Sequence, residues 1–228
     1  MKIVANKRGR PTDPELAARR RKEICGEAAR FFAEFGYPQA DLQVLADRLG
    51  VGKGTLYRYF PSKEDLFTAT VDAGIQELSA QIDTMMAGDS DPVNLIRRGV
   101  LAYLGYFDRH PELVELLIIE RAEFRDRKQS TYFVHKERNN PKRRAFLLEA
   151  MRAGVVRTMP VERIIEIFND TLYGAIFTNH FSGRKISFKK QAEDLLEVLL
   201  TGILADDHRS PKPSGKKPAR KPSNPKQS

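Results

Sequence analysis

Residues 41–67, DLQVLADRLGVGKGTLYRYFPSKEDLF, constrain this chain more than any other stretch. Leu42, Leu45, Ala46 and Leu49 recur at helical spacing and give one short helix a single apolar stripe. Gly50 ends it, because glycine enters the left-handed conformation of a helix C-terminus without a Cβ clash. Val51 and Gly52 make a turn, and a second helix begins at Lys53 and runs to Phe60. Ser62, followed by Glu64 and Asp65, then caps the start of a third. Two short helices joined across a glycine-containing turn predict a helix-turn-helix.

The second of these helices has an unusual outer face. Leu56 and Phe60 can pack inward, while Gly54, Thr55, Tyr57 and Arg58 fall on the other side of the helical wheel. Lys53 lies nearer the inner side, but in the first turn, where its stem can reach past the helix end. Such a face suits a DNA major groove: Thr and Tyr can touch thymine methyls or phosphates, and Lys can reach guanine acceptors. The alternative is a short helix whose polar face meets only water.

The run GVGKGTLYRYFPSKEDLF (50–67) resembles the signature of the TetR family of transcriptional regulators, and ICGEAARFFAEFGY (24–37) is similar to that family's first helix. The resemblance covers roughly residues 20–67. It implies a homodimeric repressor released from operator DNA by a small-molecule effector. On these positions it implies that Lys53, Gly54, Thr55 and Tyr57 contact base edges, and that Tyr59 and Lys63 contact phosphates. The family often has Ser or Thr where Asp41 stands, and Ser where Gly52 stands. Asp41 can still cap its helix, but a phosphate would repel its carboxylate and Gly52 offers only a backbone N–H. Both side chains are therefore left out of the expected contacts.

The charge distribution points the same way. The formal net charge is +9, with +6 in residues 1–22, +5 in 206–228 and −2 between them. Basic character at the two ends favours an anionic polymer there. In the arm 1–12, Arg8-Gly9-Arg10-Pro11 stays extended and fits a narrow minor groove, although a solvated basic tail has the same composition. Thr12 or Asp13 would cap the first helix, with Pro14 in its first turn. The Pro-, Lys- and Ser-rich segment 206–228 is expected to be disordered, serving as a salt-sensitive DNA tether or a plain spacer. The single Cys, Cys25, excludes an internal disulfide framework and reads as a core or boundary residue. No apolar run approaches the roughly 20 residues that span a bilayer, and no signal core opens the chain, so the expectation is a cytoplasmic protein without a membrane partner.

The remainder reads as helix. The first helix is expected to bury Ile24, Ala28, Phe31, Phe32 and Phe35, and a connecting helix (61–86) to run through Leu66, Phe67, Val71, Ile75, Leu78 and Ile82. Further helices follow, with Pro141 predicting a kink or break in one of them. The fold class is all-α, about nine helices: a helix-turn-helix domain (13–60), the connecting helix, and a helical bundle (87–205). Helices at about 160–181 and 188–204 carry apolar residues on more than one face. The family resemblance supplies a twin subunit as the cover. Tyr103, Tyr106, Phe107, Phe133, Met151, Phe168, Tyr173, Phe177 and His180 are candidates to line an effector cavity suited to an apolar or aromatic compound, or else are plain core. His110, His135, His180 and His208 show no metal-ligand spacing, so no metal, cofactor or catalytic residue is expected. A sequence-blind nucleoid protein and an enzyme housed in the bundle are the competing classes.

Overall fold

The computed structural model describes residues 14–88, 90–183 and 187–201. Arg8 and Arg10, the arm 1–12 and the tail 206–228 lie outside the described residues. Those described form nine helices and no strand: α1 (Pro14–Gln39), α2 (Leu42–Arg48), α3 (Lys53–Tyr59), α4 (Lys63–Met86), α5 (Pro92–Arg109), α6 (Pro111–Glu123), α7 (Thr131–Arg152), α8 (Val161–Ser182) and α9 (Phe188–Thr201).

Local chemistry sets the boundaries. Asp41 caps α2 by accepting from Gln43 N, Ser62 caps α4 by accepting from Asp65 N, and Asp91 caps α5 by accepting from Val93 and Asn94 N. Gly154 and Gly183 take left-handed backbone just beyond α7 and α8. Gly36 departs from helical geometry inside α1 (φ 70, ψ 167) and redirects its last residues, so that Tyr37 folds back onto the core. Helix α7 continues through Pro141 without a break. Pro141 removes one main-chain donor, and the rest of the long helix holds.

The core corrects one expectation. Ile24, Ala28, Phe31 and Phe32 are buried, but Phe35 is 39% exposed. It lies where the Arg48 guanidinium sits 5.1 Å above its ring, while the same guanidinium pairs with Glu34 at 2.8 Å. Phe31 packs on this ring at 5.0 Å, and a cation held by its own ion pair covers part of the rest.

Helix α4 is the common element. It packs against α1, α5, α6 and α7. Near its start, Phe67 meets Phe32 at 5.1 Å, Tyr37 at 5.3 Å and Phe124 at 5.4 Å, joining α1 to the end of α6. Near its middle, Gly74 admits Leu113 so closely that a Cβ would lie 2.8 Å from Leu113 Cδ1. The Tyr106 hydroxyl donates to the Gly74 carbonyl at 3.1 Å. One buried cluster therefore runs without interruption from Ile24 in the head to Leu196 in α9. A smaller one joins Leu147 to Val161 and Ile165.

A polar strut crosses the same region. Glu120, 1% exposed, accepts from Arg127 and from the backbone N–H and hydroxyl of Thr131. Arg127 also reaches Glu64 and Thr68 on α4, each at 2.8 Å. The buried carboxylate is thus paired and hydrogen-bonded, as a charge out of water must be. Because Phe67 is fully buried among three rings, Phe67→Ala should cost about 3–5 kcal/mol of stability, read as a lower urea midpoint.

Candidate nucleic-acid interface and ligand cavity

The turn between α2 and α3 is closed by Gly50 N donating to Asp47 O at 3.1 Å and Val51 N donating to Ala46 O at 3.0 Å. Gly50 takes φ +64, which favours glycine. Leu56 and Phe60 are buried against Leu42, Leu45 and Ala46, which fixes the rotation of α3 about its axis. That rotation leaves Gly54, Tyr57 and Arg58 exposed and Thr55 half-buried. Tyr57 is 42% exposed, a large share for an aromatic ring held on a rigid helix.

The remaining expected DNA contacts among the described residues, Lys53, Tyr59 and Lys63, are engaged within the fold. The Lys53 ammonium lies 3.5 Å from Asp41 Oδ1. The Asp41 carboxyl is held below its usual range, first by the Gln43 N–H and also by Lys53. Tyr59 is half-buried, with the Arg58 guanidinium 5.5 Å from its ring. Lys63 donates to the Pro38 carbonyl at 3.2 Å and sits 4.8 Å above the Tyr37 ring; burial draws its ammonium below the ordinary lysine value. Arg21, in the basic run 19–22, is also engaged within the fold. It donates to the Tyr59 carbonyl at 2.5 Å and covers the Phe60 ring at 4.3 Å, tying α1 to the end of α3. The arginine run gave no sign of which member would do this.

In the body, a cavity of about 160 Å³ opens among α4, α5, α7 and α8. Its walls are mainly apolar: Ile82 and Met86 from α4, Ile96 and Val100 from α5, Phe146 from α7, Leu172 from α8. Of the nine expected lining residues, Tyr103 and Phe168 are brought here. Tyr106 and Phe107 are buried in the main core, with the Tyr106 hydroxyl turned to α4. Met151 packs on the smaller cluster. Phe133, Tyr173 and Phe177 form a ladder with rings 5.4 and 4.7 Å apart. His180 pairs with Glu115 at 2.8 Å, bracing α8 on α6.

The polar part of the cavity was not legible in the sequence. Tyr132, Arg143 and Asn169 line it together with Tyr103. The Tyr103 and Tyr132 hydroxyls are 2.9 Å apart, and burial pushes both well into the protonated state. Arg143 donates to Asn169 Oδ1 at 2.9 Å, while Asn169 Nδ2 is buried with no hydrogen-bond partner. Asn169, next to Phe168 in α8, was the available signal. Among the described residues no group of His, Cys, Asp and Glu could hold a metal ion, and no helix is long and apolar enough to cross a membrane.

The described helices place a helix-turn-helix, with the outer face of α3 exposed, on an all-helical body with its own cavity. Residues 24–70 match the family described as "Bacterial regulatory proteins, tetR family". Residues 24–70 thus share the DNA-binding head of that family. It is 30% identical over 97 residues to the HTH-type transcriptional regulator HbdR of Aromatoleum sp. (strain CIB), covering 42% of each chain. It is 30% identical over 99 residues to the nucleoid occlusion factor SlmA of Cronobacter sakazakii, covering 43% of this chain and 50% of that protein. The chain thus spans about half the length of the curated relatives it matches.

Among solved structures, the fatty acid degradation regulator FadR of Bacillus halodurans superposes with a TM-score of 0.70 at 20% identity, covering 84% of this chain and 97% of that one. FadR of Bacillus subtilis in complex with stearoyl-CoA gives 0.66 at 19% identity, covering 80% and 98%. At such identities the likeness is one of fold.

Burial raises the hydroxyls of Tyr37, Tyr103, Tyr106, Tyr132 and Tyr173, five of the seven tyrosines. A raised folded value favours the neutral form, so this stabilisation is full below the unfolded pKa of about 10 and is lost as pH rises through the folded values. Most phenolate absorbance should therefore appear together with loss of helical circular dichroism, above the ordinary tyrosine range.

Proposed function

We propose that this chain is a sequence-specific DNA-binding regulator that acts as a homodimer, represses from an operator, and is released when a small molecule enters the body cavity. The observation that carries the reading is the outer face of α3. Gly54 lets backbone approach a surface closely, and Tyr57 and Arg58 stand exposed on a helix held rigid by Leu56 and Phe60. Tyr57 and Thr55 would reach base edges with Lys53, which needs only to leave an exposed ion pair. Tyr59 and Lys63 would meet phosphate from the same side, with Arg8 and Arg10 in the minor groove.

Apolar surface left on α8 and α9 supports dimerisation. Ile167, Phe181, Val198 and Leu200 are exposed, a load better covered by a second copy than left in water. Two heads on one symmetric pair would meet half-sites about one helical turn of DNA apart. The cavity supports an effector role through position, because Ile82 and Met86 belong to the helix that carries the head at its other end. The similarity to SlmA favours a second reading, a nucleoid factor, which differs in what the complex does on the chromosome.

The test begins with duplexes selected from a random pool. Thr55→Ala with Tyr57→Ala should weaken the selected duplex at least tenfold in a gel-shift assay against random competitor, each base contact being worth about 1–3 kcal/mol, with the circular dichroism spectrum unchanged. Unchanged affinity would remove α3 from base reading. In sedimentation, Ile167→Asp with Val198→Asp should convert a dimer to a monomer and abolish binding to the two-half-site duplex. A wild-type monomer would refute the symmetric reading.

A further inference from the structure

The cavity's polar pole says what kind of molecule it takes. We infer that it binds a small carboxylate with an apolar body, the carboxylate accepting from Arg143 and Asn169 and the body lying among the aliphatic and aromatic walls. This rests on the effector reading of the same cavity and adds the ligand's chemistry.

Three observations converge on the pole. Asn169 Nδ2 is a buried donor with no partner, and it belongs to a cavity-lining residue. A buried amide donor without an acceptor costs about 1–3 kcal/mol, so the site is incomplete until an acceptor arrives. Arg143, beside it, gives one of its five donors to the Asn169 amide oxygen, a neutral acceptor that leaves the guanidinium charge uncompensated there. The Tyr103 and Tyr132 hydroxyls share one hydrogen bond between two protons, leaving a further proton to donate. Burial keeps both phenols protonated and so keeps them as donors.

The pole therefore presents donors and a positive charge with no carboxylate in its lining; Asp170, whose charge reaches Tyr132, is exposed and lies outside the wall. An anionic oxygen acceptor satisfies it; an ammonium is repelled, and a hydrocarbon leaves the donors orphaned. A planar guanidinium matches a carboxylate in particular, since two parallel N–H groups meet two oxygens. The remaining walls, including Ile82, Ile96, Val100 and Phe146, offer no second charged group. Size narrows the class further. A dry cavity of about 150 Å³ holds a benzene-sized guest, so a volume of about 160 Å³ suits one ring or a short chain bearing the acid.

The experiment uses three probes that differ only in head group: 3-phenylpropionate, 3-phenyl-1-propanol and 3-phenylpropylamine. Binding to the full-length protein is measured by titration calorimetry, and release from the selected duplex is measured separately. The acid should bind at least tenfold more tightly than the alcohol, and the amine not at all. Arg143→Gln should remove the preference for the acid while leaving the alcohol's affinity unchanged. Asn169→Asp provides a second variant that keeps the packing and gives Arg143 an internal carboxylate. It should weaken the acid at least tenfold and spare the alcohol. Equal binding of acid and amine, an acid affinity indifferent to both substitutions, or no binding of any probe at millimolar concentration would overturn the assignment. Acid binding that obeys both variants but leaves the protein on DNA would support the site and refute the effector role. Release of DNA by the alcohol as readily as by the acid would keep the effector role and overturn the carboxylate.

Discussion

The structure depends on the packing of one helix, α4, into everything around it. Its first turns are locked by the Phe67 ring cluster, its middle by the close approach of Leu113 to Gly74, and its last turn lines the cavity. Burial of this kind contributes roughly 25 cal/mol for each Å² of apolar surface removed from water. A rod of 24 residues with buried side chains from Leu66 to Leu78 therefore contributes to the stability of both halves. Head and body share one core because this helix belongs to both.

The same packing explains the division of labour between apolar and polar contacts. Apolar contacts set positions: Leu56 and Phe60 decide which way α3 faces, and hence which side chains meet the outside. Polar contacts set connections, as where Arg127 ties Glu120 to Glu64 and Thr68 across three elements. Arg21 does the same between α1 and the end of α3. Removing a partner of the buried Glu120 leaves a charge with poor access to water, which is why that contact matters beyond its number.

Much of the helical layout was legible because caps and breakers are local. Asp41 and Ser62 announce helix starts, and Gly50 announces a stop, each by chemistry confined to a few neighbouring residues. The outer face of α3 followed from spacing alone. What escaped depended on contacts between distant segments. Phe35 fits the buried stripe of α1 by spacing, yet Arg48 from the next helix covers it. Pro141 looked like a break, but flanking turns carry the helix past it. Aromatic content drew attention to Phe133, Tyr173 and Phe177, whereas the cavity's distinctive chemistry belongs to Arg143 and Asn169. One arginine among 39 basic residues carries no mark until the tertiary fold supplies its neighbours.

The contact at Gly74 has a mechanical consequence. It falls near the midpoint of α4, about 16 Å from Lys63 and about 18 Å from Met86 at 1.5 Å per residue. A stiff bar gripped at its centre by Leu113 and by the Tyr106 hydroxyl would resist sliding, and any tilt about that point would have to carry the Phe67 ring cluster with it. Arms of nearly equal length return a push at Met86 as an opposite swing of similar size at Lys63, with no amplification. In the proposed two-fold pair, an equal swing of each head would double the change in spacing between them.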